Sequence, residues 1–226
     1  SIVDELCSWP TWNPSHFLDA AKASLPCTVA YDWLYDVLSD EQKERILDNL
    51  KEKLIIPSQQ PEHQYMLNKF NNWNQTCNGA LIAASIVLYD REPEFSQEVI
   101  RKAIERNIPA FKPMSAPDGV YPEGPMDMFA GMSWQVLIFS VLESAYGTDF
   151  GLSDAAGFDK AGMYRLFSHG NTEDLFNFSD NNTKARYHST DHSFPLMWYL
   201  ADRFGDSSIL YKESQYLSQW VADPNE

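Results

Sequence analysis

The sequence has no cluster of lysines and arginines, no long apolar run, no internal repeat and only three cysteines, and each shortage removes a class of function. Seventeen basic residues against thirty-two acidic ones give a formal charge of −15, which leaves no continuous positive footprint for a nucleic-acid backbone. DNA and RNA are excluded as partners. The longest apolar run, Gly79 to Leu88, is far shorter than the roughly 20 residues of a membrane-spanning helix, so no membrane partner is expected. The N-terminus lacks the basic-then-apolar pattern of a signal peptide, and the chain reads as soluble. Cys7, Cys27 and Cys77 are odd in number and widely spaced, without a CxxC pair, which argues against a disulfide framework or a zinc motif. They read as buried thiols. No self-similarity at a fixed period points to a solenoid.

What is present is enough apolar material, 44% of 226 residues, to bury one core, and the chain reads as one domain over 1–226. Its periodicity is helical. Ser39 with Gln42 predicts a capped helix start, and Ile46, Leu47, Leu50 and Leu54 then form one apolar stripe that Pro57 ends. From Asn78 to Tyr89 the sequence is apolar nearly all round, as an enclosed helix should be. After Arg91-Glu92-Pro93, the residues Phe95, Val99, Ala103 and Ile104 make a single stripe backed by Glu98, Arg101, Lys102 and Glu105, which predicts an outer helix. A Pro- and Gly-rich loop from Pro113 to Gly124 leads to a second inner helix over Met132 to Tyr146. Gly147 to about Ser193 reads as ordered loop or short helices, and helices resume at Leu196 to Phe204 and Ser208 to Val221. Alternating enclosed and exposed helices predict an all-α fold of concentric helical hairpins, although ordinary bundles can show the same pattern.

Four stretches place polar groups beside aromatic ones. In Trp9-Pro10-Thr11-Trp12-Asn13-Pro14-Ser15-His16 the tryptophans can form a stacking platform for a sugar face; the plainer alternative is packing, with Asn13 or Ser15 capping the next helix. In Asn71-Asn72-Trp73-Asn74-Gln75 neutral amides can donate to a carboxylate or to sugar hydroxyls, though one of them alone suffices to cap a helix. Tyr121 and Glu123, each followed by a constraining Pro or Gly, sit in a rigid segment after the Asp118-Gly119 turn, able to aim a phenol and a carboxyl into a cleft or to serve as architecture only. Finally Phe176-Asn177-Phe178-Ser179-Asp180 precedes Tyr187, His188, Asp191 and His192, where metal binding or general base work is conceivable beside the plainer alternative of surface or capping histidines; without an HExxH pattern, no metal is expected.

Taken in order, the segments Trp12 to Leu18, Ala30 to Asp36, Asn71 to Asn74, Pro117 to Pro125 and Tyr146 to Ser153 resemble the helical domain of heparinase II/III-like polysaccharide lyases, over about residues 9 to 205. The resemblance implies an incomplete α/α toroid of helical hairpins, a periplasmic or secreted setting, no cofactor, and an acidic polysaccharide or oligosaccharide as substrate, cleaved by β-elimination. It also implies a C-terminal β-sandwich, which no strand-rich segment after Val221 supplies, so the chain reads as a fragment. Removing a uronic acid C5 proton requires the neighbouring carboxylate to be neutralised, a base at C5 and an acid at the leaving oxygen. By motif position Asn72 or Asn71 matches the amide, with Asn74 next to them, and Tyr121 is the tyrosine left in the motif for the phenol. Asn71, Trp73, Asn74, Glu123, Trp12 and His16 are then expected to bind substrate. The chain departs from the pattern where Trp73 stands in place of a histidine and where Met126-Asp127-Met128-Phe129-Ala130 replaces tyrosines.

Two other readings remain open. An inverting glycoside hydrolase needs two carboxyls about 6.5–9.5 Å apart, for which Asp118, Glu123, Asp127 and Asp180 are available. A non-catalytic glycan-binding domain fits the departures and the acidic charge. In either sugar-binding case the asparagine cluster and the Tyr121–Glu123 loop, each preceding an inner helix, are expected to open at one rim, where helix N-termini offset the −15 balance locally.

Overall fold

The computed structural model describes residues 1–168, 175–176, 178–179 and 195–222, and these are all-helical. In chain order the helices are α1 (Ile2–Ser8), α2 (Phe17–Trp33), α3 (Asp40–Leu50), the short α4 (Ile56–Ser58) and α5 (Gln64–Leu67), then α6 (Asn72–Leu88), α7 (Pro93–Ser115), α8 (Pro125–Tyr146), α9 (Ala161–Phe167), α10 (Pro195–Phe204) and α11 (Tyr211–Ala222). Ser39 caps α3 as its spacing predicts, accepting from Gln42 N at 3.2 Å while Gln42 Oε1 accepts from Ser39 N at 2.9 Å. Pro57 does not end this helical run at once. A wide π-turn over Lys51–Ile55 resets the register, and Pro57 then falls in the first turn of α4, where a missing N–H costs nothing.

Helix α6 is the hub. It packs against α2, α7 and α8, and from Asn74 to Ser85 every residue is buried. Helix α7 buries one stripe through Val99, Ala103 and Phe111 and keeps Arg101 in ion pairs with Glu98 and Glu105 on its outer side. Around Phe111, Phe139 and Phe158 the core closes with edge-to-face ring pairs at 5.4–5.6 Å. All three cysteines are free and buried, as expected, and burial pushes the Cys77 thiol up to about 12. Helix α8 is long and apolar enough to cross a membrane by length and composition, a property missed when only unbroken apolar runs are counted; here half of its most apolar window is buried inside the bundle.

Two helices begin earlier than the sequence suggests. α6 starts at Asn72 rather than Asn78, because Asn71 caps it by accepting from Trp73 N at 3.2 Å and the amide N–H groups of Asn74 and Asn78 find acceptors inside the protein. Asn74 Nδ2 donates to Leu67 O at 2.9 Å, and Asn78 Nδ2 donates to the same carbonyl at 2.9 Å. Asn107 of α7 and Gln135 of α8 exchange two hydrogen bonds of 2.9 Å, and Asn107 also reaches Asn74 Oδ1 at 3.3 Å. α8 starts at Pro125 rather than Met132, with Pro at its first position and Gly124 ahead of it at φ 94°, a left-handed conformation in which a side chain is strained. Helix α7 likewise runs on to Ser115, past Pro109 and Pro113.

Buried amides that satisfy one another fix the register of three helices, because a slip leaves donors unpaired in a dry core. Asn107→Ala should therefore lower stability by about 1–3 kcal/mol, read as a fall in the denaturant midpoint with an unchanged slope. A loss below a few tenths of a kcal/mol would show that the network does not set the packing.

Candidate functional site

The asparagine cluster and the Tyr121–Glu123 loop do meet, 51 residues apart in sequence, at the N-terminal rim of α6 and α8. Glu123 accepts from the Asn72 backbone N–H at 2.6 Å through Oε2 and from Asn72 Nδ2 at 3.1 Å through Oε1. A carboxylate therefore already occupies the first turn of α6, where unpaired N–H groups and the helix dipole favour negative charge. This changes the part assigned to Glu123. Both of its oxygens are engaged with Asn72, so it positions the amide, and any contact with a sugar would use the acceptor sites that remain on this part-buried carboxylate. Asn72 keeps one Nδ2–H and its Oδ1 for other use. Burial raises the Glu123 carboxyl above its ordinary value, the Asn72 backbone bond opposes that rise, and nearby Asp127 adds to it.

Tyr121 lies beneath this pair with no exposed surface. Its hydroxyl is 3.5 Å from Gln75 Oε1, a long hydrogen bond, and it also engages the Glu123 carboxyl. Gln75 is fully buried and its Nε2 has no partner among the described residues. A half-turn of that amide would let Nε2 donate to the phenol oxygen while the phenol donates to Glu123, satisfying all three groups. Burial above all, then the charges of Glu123 and Asp127, hold the phenol well above its ordinary value. The cavity for the ring exists because residue 131 is glycine. A Cβ there would stand 2.1 Å from the Tyr121 hydroxyl and 3.2 Å from Asn72 Cβ.

Above the rim the accessible surface is aromatic. Trp73 is part-buried, and His16 meets its ring edge-on at 5.1 Å and 89°. His16 also pairs with Asp19 through Nδ1 at 3.0 Å. Lys69 holds its ammonium 4.3 Å from the Trp73 ring centre and 5.7 Å from that of Tyr65, and no ion pair joins it to a carboxylate among the described residues. Tyr65 and Phe70 are 59% and 64% exposed beside it. Neither these aromatics nor Lys69 stood out in the sequence, although their place just ahead of the asparagines was the available signal. Nothing local predicts that Lys69 lies on a ring.

Several expected binders are elsewhere in role. Trp12 is 2% exposed and donates from Nε1 to Leu6 O at 2.9 Å, so it is a core residue and not a sugar platform. Asn13 and Ser15 do not cap α2, whose first N–H groups receive no side-chain cap; Asn13 takes a left-handed turn at φ 53° instead. Asn74 is buried in the amide network and cannot touch a ligand, which leaves Asn71, Asn72, Trp73, His16 and the part-buried Glu123 as the assigned residues with accessible surface. Asn177, Asp180, Tyr187, His188, Asp191 and His192 lie outside the described residues. Among the described residues no group of three His, Cys, Asp or Glu side chains could hold a metal. Compared with known proteins, the chain matches no family model and no curated protein. The heparinase II/III-like resemblance rests on the motifs themselves.

What the rim can do chemically follows from its charges and amides. It presents an oriented carboxamide, an indole, an imidazole and the Lys69 ammonium, without an ion pair among the described residues, around two helix N-termini, a set that suits an anionic, hydroxyl-rich ligand with an apolar face. Two consequences can be measured. Gly131→Ala should cost about 1–3 kcal/mol from overpacking, and combining it with Tyr121→Phe, which removes the colliding hydroxyl, should recover part of that loss; strict additivity would disprove the contact. A carboxyl whose folded value is raised contributes fully below its unfolded value and loses that contribution as pH rises through the folded one. The stability difference between the wild type and Glu123→Gln should accordingly shift against the wild type across that interval, and a flat difference would place Glu123 in a solvated setting.

Proposed function

We propose that this chain is the helical part, an incomplete α/α toroid, of a carbohydrate-active protein of the heparinase II/III-like kind, holding an acidic polysaccharide at the rim of α6 and α8. The observation that carries the reading is the double hydrogen bond from Asn72 to Glu123, which joins two of the five resembling motifs at a helix N-terminus and leaves one Nδ2–H of the part-exposed Asn72 unused by Glu123. In a β-elimination that N–H would neutralise the uronate carboxylate, with Lys69 adding charge beside it, while Trp73 carries the sugar face. Such neutralisation acidifies the C5 proton, and each preorganised donor of this type contributes about 10²–10³ in rate.

The base is the harder part. Tyr121 stands at the motif position for it, yet a phenol with no exposed surface cannot reach C5 unless the Glu123 side chain and the first turn of α8 move aside. That burial favours a second reading, a glycan-binding domain without turnover. A β-sandwich, as the resemblance implies, and a periplasmic or secreted setting belong to the first reading as proposals of the same standing.

Absorbance from the new C4–C5 double bond separates the two. Incubated with a panel of uronic-acid oligosaccharides, the chain should release unsaturated product at a rate that Asn72→Ala and Tyr121→Phe each lower at least about a hundredfold if it is a lyase. Calorimetric binding without absorbance, weakened by Asn72→Ala and indifferent to Tyr121→Phe, would establish the binding domain. Neither binding nor product from any acidic glycan would refute both.

A further inference from the structure

The end of the bundle opposite the Asn72 rim has a different chemistry. Helices α2, α6 and α8 start side by side, since His16 just ahead of α2 touches Trp73 and Asn72 lies against Gly131. They also finish together, and their C-terminal halves line a groove of about 420 Å³ walled by Val29, Ile86, Val87, Leu137 and Val141. Asp32 is the charged residue of that lining. Around the mouth, large side chains stand in solvent. Trp33 is 80% exposed and Val37 77%, Tyr35 and Tyr89 are exposed beside them, and beyond α8 Tyr146 and Phe150 pair at 6.0 Å. An aromatic and aliphatic band of this kind, continuous with a groove, is what protein interfaces are made of and what an isolated domain seldom leaves in water.

The charge at this end says what the occupant carries. Three helix C-termini bring partial negative charge to this end, Asp32 adds to it in the groove itself, and Asp36 and Asp90 follow the ends of α2 and α6 within three residues. Of the cations nearby, Lys43 lies 3.9 Å over the Tyr35 ring and reaches Asp40 at 4.0 Å, and Arg91 is held by Glu44 and Asp48 at 2.9 Å each. A second copy of a chain carrying −15 would bring like charge to this mouth, and an anionic lipid surface would be repelled by it. A small organic cation would fill the groove but leave the exposed band uncovered.

We propose that this groove is a docking site for an amphipathic helix of a partner protein, its apolar side chains seated between α2, α6 and α8 and its lysines or arginines turned to Asp32 and the three helix ends. On α6 the groove begins at Ala83 and runs to Val87, about 16–22 Å beyond Asn72 at the rise of an α-helix, so it stands independently of the glycan reading.

Fluorescence anisotropy with two synthetic helices of equal length and apolar pattern, one of Leu and Lys and one of Leu and Glu, tests it. The Leu/Lys helix should bind and the Leu/Glu helix should not. Trp33→Ser, at a side chain exposed enough to leave the fold intact by circular dichroism, should weaken binding by about tenfold or more, and Asp32→Asn by several-fold. Asn72→Ala should leave it unchanged. Equal binding of both helices, no binding of either, indifference to both groove substitutions, or a stable dimer of the chain in sedimentation would each overturn the proposal.

Discussion

A helix enclosed on all sides cannot send its polar side chains to water, and α6 carries four of them, Asn74, Gln75, Thr76 and Asn78, within its first two turns. Leaving one such amide unpaired in the interior costs about 1–3 kcal/mol, so the neighbours of α6 have to be placed where they can answer it. Leu67 O takes two of the donors, Asn107 and Gln135 lock α7 and α8 in register, and the loop ahead of α8 is thereby brought over the α6 N-terminus. The rim is thus a product of polar bookkeeping in the core as much as of the loops themselves.

The same requirement explains which parts of the fold were legible in the sequence. Elements governed by short spacings were readable: the Ser39–Gln42 cap, the single stripe of α7, the apolar body of α6 and the three buried thiols. The start of α6 was not, because Asn-Trp-Asn-Gln-Thr-Cys-Asn has the composition of a loop, and only partners from 32 or 51 residues away make it tolerable as helix. At the site, the meeting of Asn72 with the Tyr121–Glu123 loop was legible from the order of loops and inner helices. The burial of Trp12 and Tyr121 was not, since an indole or a phenol is equally at home on either side of a surface and the deciding contacts, Leu6 O and the space over Gly131, are set by packing.

Charge is distributed with the same economy. Several basic side chains form ion pairs that tie the outer surface together, as in Arg45 with Asp4, Lys51 with Glu92 at 2.6 Å and Arg203 with Glu143 at 3.0 Å. Exposed pairs of this kind contribute little each, about 0–1 kcal/mol, and are weakened by salt. Lys69 is treated differently, lying on two aromatic rings with no carboxylate against it among the described residues.

The contact between residues 121 and 131 has a bearing on how such a chain can change over generations. While the phenol fills the space above Gly131, any larger residue at 131 collides with it, and while 131 is glycine, a smaller residue at 121 opens a void beneath Asn72. Neither step is harmless alone. Drift at this spot is confined to paired replacements, so descendants of this sequence that keep the rim should inherit the aromatic and the glycine together or exchange both. A lineage that had lost one of them would have rebuilt the rim around something else.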